Sequence, residues 1–178
     1  MRIAFFSRRR LLAACAPAVF ALLSAGFAAS ADSSPIKIAV FDFELDDFSA
    51  GAGIAGNVAA DNEHLDQATS EVRRLLAESR RYSLVDVSGV ESDSVKARAF
   101  RQCNGCESAL AQKLGADQSF VGVITRVSRT EFTVRFQIRD ARTGAVIANK
   151  ATDLRIGADY AWSRGAASLI KNRLLGES

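Results

Sequence analysis

The chain has 178 residues, 48% of them hydrophobic and 24% charged, with 12 Gly and 2 Pro, which excludes extended disorder, collagen-like repeats and low complexity. A formal charge of +3 and a pI near 9.0 raise the question of nucleic-acid binding, so the position of the excess charge decides the matter. It lies in the first ten residues: Arg2, Arg8, Arg9 and Arg10 precede the apolar run Leu11–Ala29, and the first acidic residue is Asp32.

A charged start, an apolar stretch and the small-x-small ending Ala29-Ser30-Ala31 together predict a secretory signal peptide over residues 1–31, cleaved after Ala31. A retained membrane anchor fits less well, because the stretch is Ala-rich and interrupted by Pro17, Ser24 and Gly26. Ser7-Arg8-Arg9-Arg10-Leu11-Leu12 resembles a twin-arginine export motif, with an ordinary export leader as the alternative. Leu12-Ala13-Ala14-Cys15 matches a lipoprotein cleavage box, but only four apolar residues separate Arg10 from Cys15. Removing the leader leaves 147 residues, 32–178, with 19 basic against 20 acidic side chains, a net charge of −1. The neutral remainder gives no charge argument for phosphate-backbone binding and is long enough for one core, so a single domain is expected.

Along that domain, Ile36–Leu45 begins apolar on both faces, as a central strand does. A Gly/Ala-rich loop follows from Asp46 to about Asn57. Leu65, Ala68, Val72, Leu75 and Leu76 then recur at helical spacing opposite Glu63, Asp66, Arg73, Arg74 and Glu78. Tyr82–Val87 reads as a second strand, giving β-α-β. Residues 88–102 are polar and ambiguous, with a short helix possible around Ser92–Phe100. Cys106, Leu110, Ala111 and Leu114 share one side of a short helix that Gly115 is placed to stop. Ser119–Val127 and Glu131–Asp140 are the clearest strands, and the second alternates Phe132, Val134, Phe136 and Ile138 with Thr133, Arg135, Gln137 and Arg139. Asp140–Gly144 predicts a hairpin turn into a strand over Ala145–Arg155, and a last helix over Asp159–Leu175 puts Trp162, Ala166, Leu169 and Ile170 on one face. The expected fold is α/β, a mixed sheet of about five strands in the order β-α-β-α-β-β-β-α with helices packed on it.

Four patterns invite a chemical reading. Cys103-Asn104-Gly105-Cys106 holds the only cysteines of the exported part, and in an oxidising compartment a structural disulfide is the plain expectation. A thiol–disulfide exchange site is the sharper alternative, since a helix N-terminus lowers a thiol's pKa, and a metal site would need further ligands when His64 is the sole histidine. Covalent haem is excluded by Glu107, where that attachment requires histidine.

Asp42, Glu44 and Asp46 fall on one side of the first strand's end if it stays regular, with Asp47 beside them. They are weak candidates for a hard cation, against the simpler expectation of a solvated strand end. Gly51-Ala52-Gly53-Ile54-Ala55-Gly56 is a literal GxGxxG, but Asp46–Ala50 intervene between strand and glycines, the wrong register for a dinucleotide site. The wet face bearing Arg135 and Arg139 could meet an acidic partner or simply face solvent. With one histidine, no Ser/His/Asp or Cys/His arrangement is credible.

Ile38-Ala39-Val40-Phe41-Asp42-Phe43-Glu44, Cys103–Glu107, Leu114-Gly115-Ala116, Ile138-Arg139-Asp140 and Lys171-Asn172-Arg173-Leu174 together resemble the DUF2380/DUF3280-type family of secreted bacterial proteins of unknown function. More remotely, the first strand, the cysteine-bearing helix ending Leu114–Asp117 and the Thr143-Gly144 turn are similar to the α/β module of the TolB N-terminal domain, CsgG and LpoB. That resemblance implies a compact module that binds envelope partners without catalysis, an argument by fold analogy. The expectation is therefore a periplasmic, non-catalytic binding or accessory protein, without cofactor, nucleic acid or integral membrane segment. It would act on an envelope protein or small ligand, with Cys103–Cys106 as its disulfide. The alternative is a periplasmic thiol-redox or metal-handling protein.

Overall fold

In a computed structural model, which describes residues 34–50, 52, 58–88 and 99–176, the chain builds a mixed sheet with helices on both faces. The strands are β1 (Ile36–Val40), β2 (Glu44–Asp47), β3 (Tyr82–Val85), β4 (Gln118–Ser128), β5 (Glu131–Asp140), β6 (Val146–Ala151) and β7 (Arg155–Ile156). The helices are α1 (Val58–Glu78), α2 (Cys106–Lys113) and α3 (Trp162–Ile170), the last extended by a π-helical turn over Lys171–Leu175. The expected leader and its Ala31 site, all of the glycine motif except Ala52, and most of the possible helix around Ser92–Phe100 lie outside the described residues.

Five strands form the main path, β3-β1-β4-β5-β6, with β1, β3 and β4 parallel and β4-β5-β6 an antiparallel meander. Two short strands join it, so the sheet has seven: β2 runs parallel to β4, and β7 pairs antiparallel with the start of β5. The expected strand Ile36–Leu45 therefore breaks in two. Its interruption is paid for by α1, whose side chains satisfy the released backbone: Arg73 donates to the Val40 carbonyl at 2.7 Å, and Phe43 N–H donates to Thr69 Oγ1 at 2.9 Å. The expected strand over Ala145–Arg155 also ends early. At Thr152 both the backbone N–H and the hydroxyl engage Val134, and β7 resumes at Arg155.

Alternation along β5 sorts the two faces. Phe132, Val134, Phe136 and Ile138 point with Ile38, Val40, Phe120 and Ile124 into the larger core, covered by Ala68, Val72, Leu75 and Leu76 of α1 and by Trp162, Ala166, Leu169 and Ile170 of α3. Burying each large apolar side chain contributes about 1.5–3 kcal/mol. A smaller core on the other face joins Ala39, Phe41, Val121 and Val123 to Ala111 of α2, with Phe100 and Leu110 at its margin. This second layer runs from Val85 of β3 across β1 and β4 to Ala141 and does not reach β6. The hairpin turn forms as the sequence predicts: Asp140 Oδ1 accepts from the N–H groups of Arg142 and Thr143, which holds its carboxyl below the usual range, and Gly144 takes the left-handed conformation.

Candidate functional site

The cysteine motif forms a disulfide, Cys103–Cys106, with Cα atoms 5.7 Å apart. Asn104 and Gly105 close the loop in left-handed conformations, and Cys106 opens α2. Glu107, in the first turn, is only 3% exposed. Arg139 of β5 gathers the loop: its guanidinium lies 3.1 Å from Glu107, donates to Asn104 Oδ1 at 3.0 Å, and donates to the Gly144 carbonyl at 2.9 Å. The disulfide loop is thereby stitched to the β5–β6 turn.

The sulfur and carboxylate atoms of Cys103, Cys106 and Glu107 lie within 4.8 Å of one another, yet the sulfurs are spent on each other and Glu107 is spent on Arg139. Cys103 Sγ sits 3.9 Å from Glu107 Oε2. Cys103 also precedes the helix rather than belonging to it.

The three weak cation candidates do not converge. Asp42, in the break between β1 and β2, pairs with Arg73 at 3.1 Å. Glu44 accepts from the backbone N–H groups of Phe100 and Arg101 and, like Asp46, faces the Arg101 guanidinium, at 3.1 and 3.6 Å respectively. Guanidinium groups occupy the position a cation would take, and the strand irregularity at Phe41–Phe43 is what turns Asp42 away.

A buried cluster at the far end of β4 escaped the sequence reading. Arg126 is 7% exposed; it pairs with Asp47 of β2 at 3.1 Å and with Asp61 of α1, and lies 4.9 Å from the Trp162 ring centre. The His64 ring meets Trp162 edge-on at 6.1 Å, and its buried Nδ1 has no hydrogen-bond partner among the described residues. Burial pulls the Asp47 carboxyl upward, but hydrogen bonds from Ser49 and the charge of Arg126 outweigh it and leave the group below its usual range. Strand alternation gave the available signal: Arg126 shares a face with Phe120 and Ile124, so its charge had to find partners inside.

The sheet has two outer edges among the described residues, β3, which pairs with β1 alone, and β6. β6 pairs with β5 alone among the described strands. Val146 is 48% exposed and Ile147 51% at one end of this edge, and Leu154 is 53% exposed, Ile156 86% and Tyr160, in the turn before α3, 64% at the other. Since Thr152 faces β5, alternation turns the N–H and C=O groups of Asn149 and Ala151 outward. Between β7 and α3 lies a cleft of about 450 Å³, lined by Phe132, Leu154, Arg155, Ile156, Arg164 and Gly165.

The family described as "Protein of unknown function (DUF2380)" matches residues 36–174. The chain belongs to this family. In this DUF2380 protein the match spans both cores, the disulfide loop and the open edge. None of the curated proteins matches the chain. Among solved structures, it is similar to the LpoB C-terminal domain from Escherichia coli (15% identity, 71% of this chain and 89% of that one, TM-score 0.46). It is also similar to the PelC dodecamer from Paraburkholderia phytofirmans (18% identity, 80% and 89%, TM-score 0.45). A third similarity is to TolB from Acinetobacter baumannii (16% identity, 80% of this chain but 29% of that one, TM-score 0.45).

Proposed function

We propose that this DUF2380 protein is a non-catalytic accessory protein of the cell envelope, exported to the periplasm, that works by binding another protein through the β6–β7 edge. The observation that carries the reading is that edge: outward backbone groups on β6, flanked by exposed Val146 and Ile147 at one end and by Leu154 and Ile156 at the other. An unpaired edge with apolar side chains is a template for another strand, and proteins that do not use such an edge blunt it. Here one lysine, Lys150, is the only charge on β6.

The chemistry-bearing groups support a non-catalytic role because each has a structural employment. The cysteines form the disulfide, Glu107 holds Arg139, Glu44 and Asp46 hold Arg101, and Asp42 holds Arg73. The leader expected from the sequence and the disulfide Cys103–Cys106 support an address in an oxidising compartment. No helix among the described residues is long and apolar enough to cross a membrane.

The test is in-cell crosslinking of the exported protein, with mass spectrometry of its neighbours and of the intact native assembly. A reproducible protein neighbour is expected. Recovery of monomer alone, in repeated captures, overturns the reading.

A further inference from the structure

We propose that the β6–β7 edge recognises an extended segment of its partner that carries a carboxylate next to an apolar side chain, the carboxylate being read by Arg155 and Arg164. This rests on the binding role proposed above and specifies the chemistry of the partner.

Two features on the same side of the sheet carry it: along β5, Ala151 and Asn149 stand opposite Arg135 and Gln137, and the cleft begins where Arg155 stands opposite Phe132. The first is the outward hydrogen-bonding edge of β6, which an added strand can pair with in place of water. The second is the cleft of about 450 Å³ between β7 and α3, within the size range of small-ligand sites. Gly165 lets α3 settle onto β5, since a β-carbon there would stand 3.1 Å from the Phe132 ring, and that ring with Leu154 and Ile156 gives the cleft an apolar lining.

Two exposed cations line the same cleft. Arg155, opposite Phe132 in register, donates to Ser168 Oγ at 3.4 Å, and Arg164 stands 5.7 Å from the Tyr160 ring centre. These partners are neutral. Among the described residues neither arginine pairs with a carboxylate, whereas Arg74, Arg101, Arg126 and Arg139 all do. The only acid described on the β6–β7 connection is the exposed Asp153. Two guanidinium groups over an apolar floor match a carboxylate flanked by an apolar side chain, because a guanidinium fork bonds a carboxylate through parallel N–H groups. A lipid headgroup could satisfy the arginines but would leave the β6 backbone unused.

The test is selection of a displayed library of random linear peptides on the purified, disulfide-intact protein, with fluorescence-anisotropy titration of the winners. Expected are peptides with Asp or Glu adjacent to a β-branched or aromatic residue. The charge swap R155E/R164E should weaken them at least tenfold and select Lys or Arg instead. The milder R155Q/R164Q should weaken them without inverting the preference, and Lys113→Glu on α2 should leave them unchanged. Thermal melting of each variant checks that it folds.

Winners without an acidic residue, or winners indifferent to both double variants, overturn the proposal. Binding to phosphatidylglycerol vesicles without peptide enrichment overturns it in favour of a membrane surface, and a homodimer joined through this face overturns it in favour of self-association. If no peptide is enriched while in-cell capture still yields a neighbour, the acidic-strand chemistry falls and the binding role stands. If both fail, both fall.

Discussion

Arg126 shows how one side chain links three elements. A guanidinium with 7% exposure is tolerated because Asp47, Asp61 and the Trp162 ring surround it, joining β2, α1 and α3 to the end of β4. Arg126→Met would leave two carboxylates facing each other without their shared cation, so a loss of about 3–5 kcal/mol is expected in urea unfolding. Asp47 gives the same cluster a pH dependence. Its carboxyl lies below the usual range in the folded chain, so its stabilisation is complete above the unfolded value of about 3.9 and is lost as pH falls through the folded one. Between pH 5 and 2.5 the melting temperature of Asp47→Asn should therefore fall less than that of the natural chain; equal falls would contradict the assignment. The parity of β4 puts Arg126 on the face of Phe120 and Ile124, a signal that the sequence reading did not use. Its partners were not legible, because Asp47 and Asp61 lie 79 and 65 positions away along the chain and only the folded sheet brings them to it.

At the scale of elements, legibility followed periodicity. β5 occupies the residues that alternation marks, Glu131–Asp140, and the last helical segment spans Asp159–Leu175 as its apolar stripe predicts. The first strand was misread as continuous because residues apolar on both faces carry no periodic signal, and the break at Phe41–Phe43 is satisfied by Arg73 and Thr69 of a later helix. The break also seats the Phe43 ring over Gly122, where a β-carbon would overlap it. Gly122→Ala is expected to cost about 1–3 kcal/mol by overpacking, read in the same unfolding assay. The cysteine motif was legible as a pair, but Glu107 and its bond to Arg139 were not, since nothing in local spacing marks a glutamate for burial. A loop this short constrains the unfolded chain modestly. Cys103→Ser with Cys106→Ser should lower stability by about 2 kcal/mol while leaving partner capture intact. Loss of capture at unchanged stability would instead give the thiols a direct role.

For the whole molecule, the order β-α-β-α-β-β-β-α was readable from sequence and is found, with the short strands β2 and β7 added where two expected strands break. Which edge is the sticky one was not readable. Both ends of the path are edges among the described residues, β3 beside β1 alone and β6 beside β5 alone, and what sets the second apart is the exposed Val146, Ile147, Leu154 and Ile156 on its side. The candidate site therefore shifts from the cysteines and acidic residues that stand out in the sequence to a surface made by topology. In the isolated protein, amide exchange should alternate along β6, with Asn149 and Ala151 fast and Lys150 slow. Uniform protection would mean that the edge is already covered.

The central claim is that binding occurs at this edge, and a positional scan of photo-crosslinkers in the exported protein tests it most directly. Probes at Ile147, Asn149 and Ile156 should give the same discrete protein adduct, while probes at Glu78 on α1 and Lys113 on α2 give none. Adducts from Glu78 or Lys113 with none from the β6–β7 positions would contradict the account.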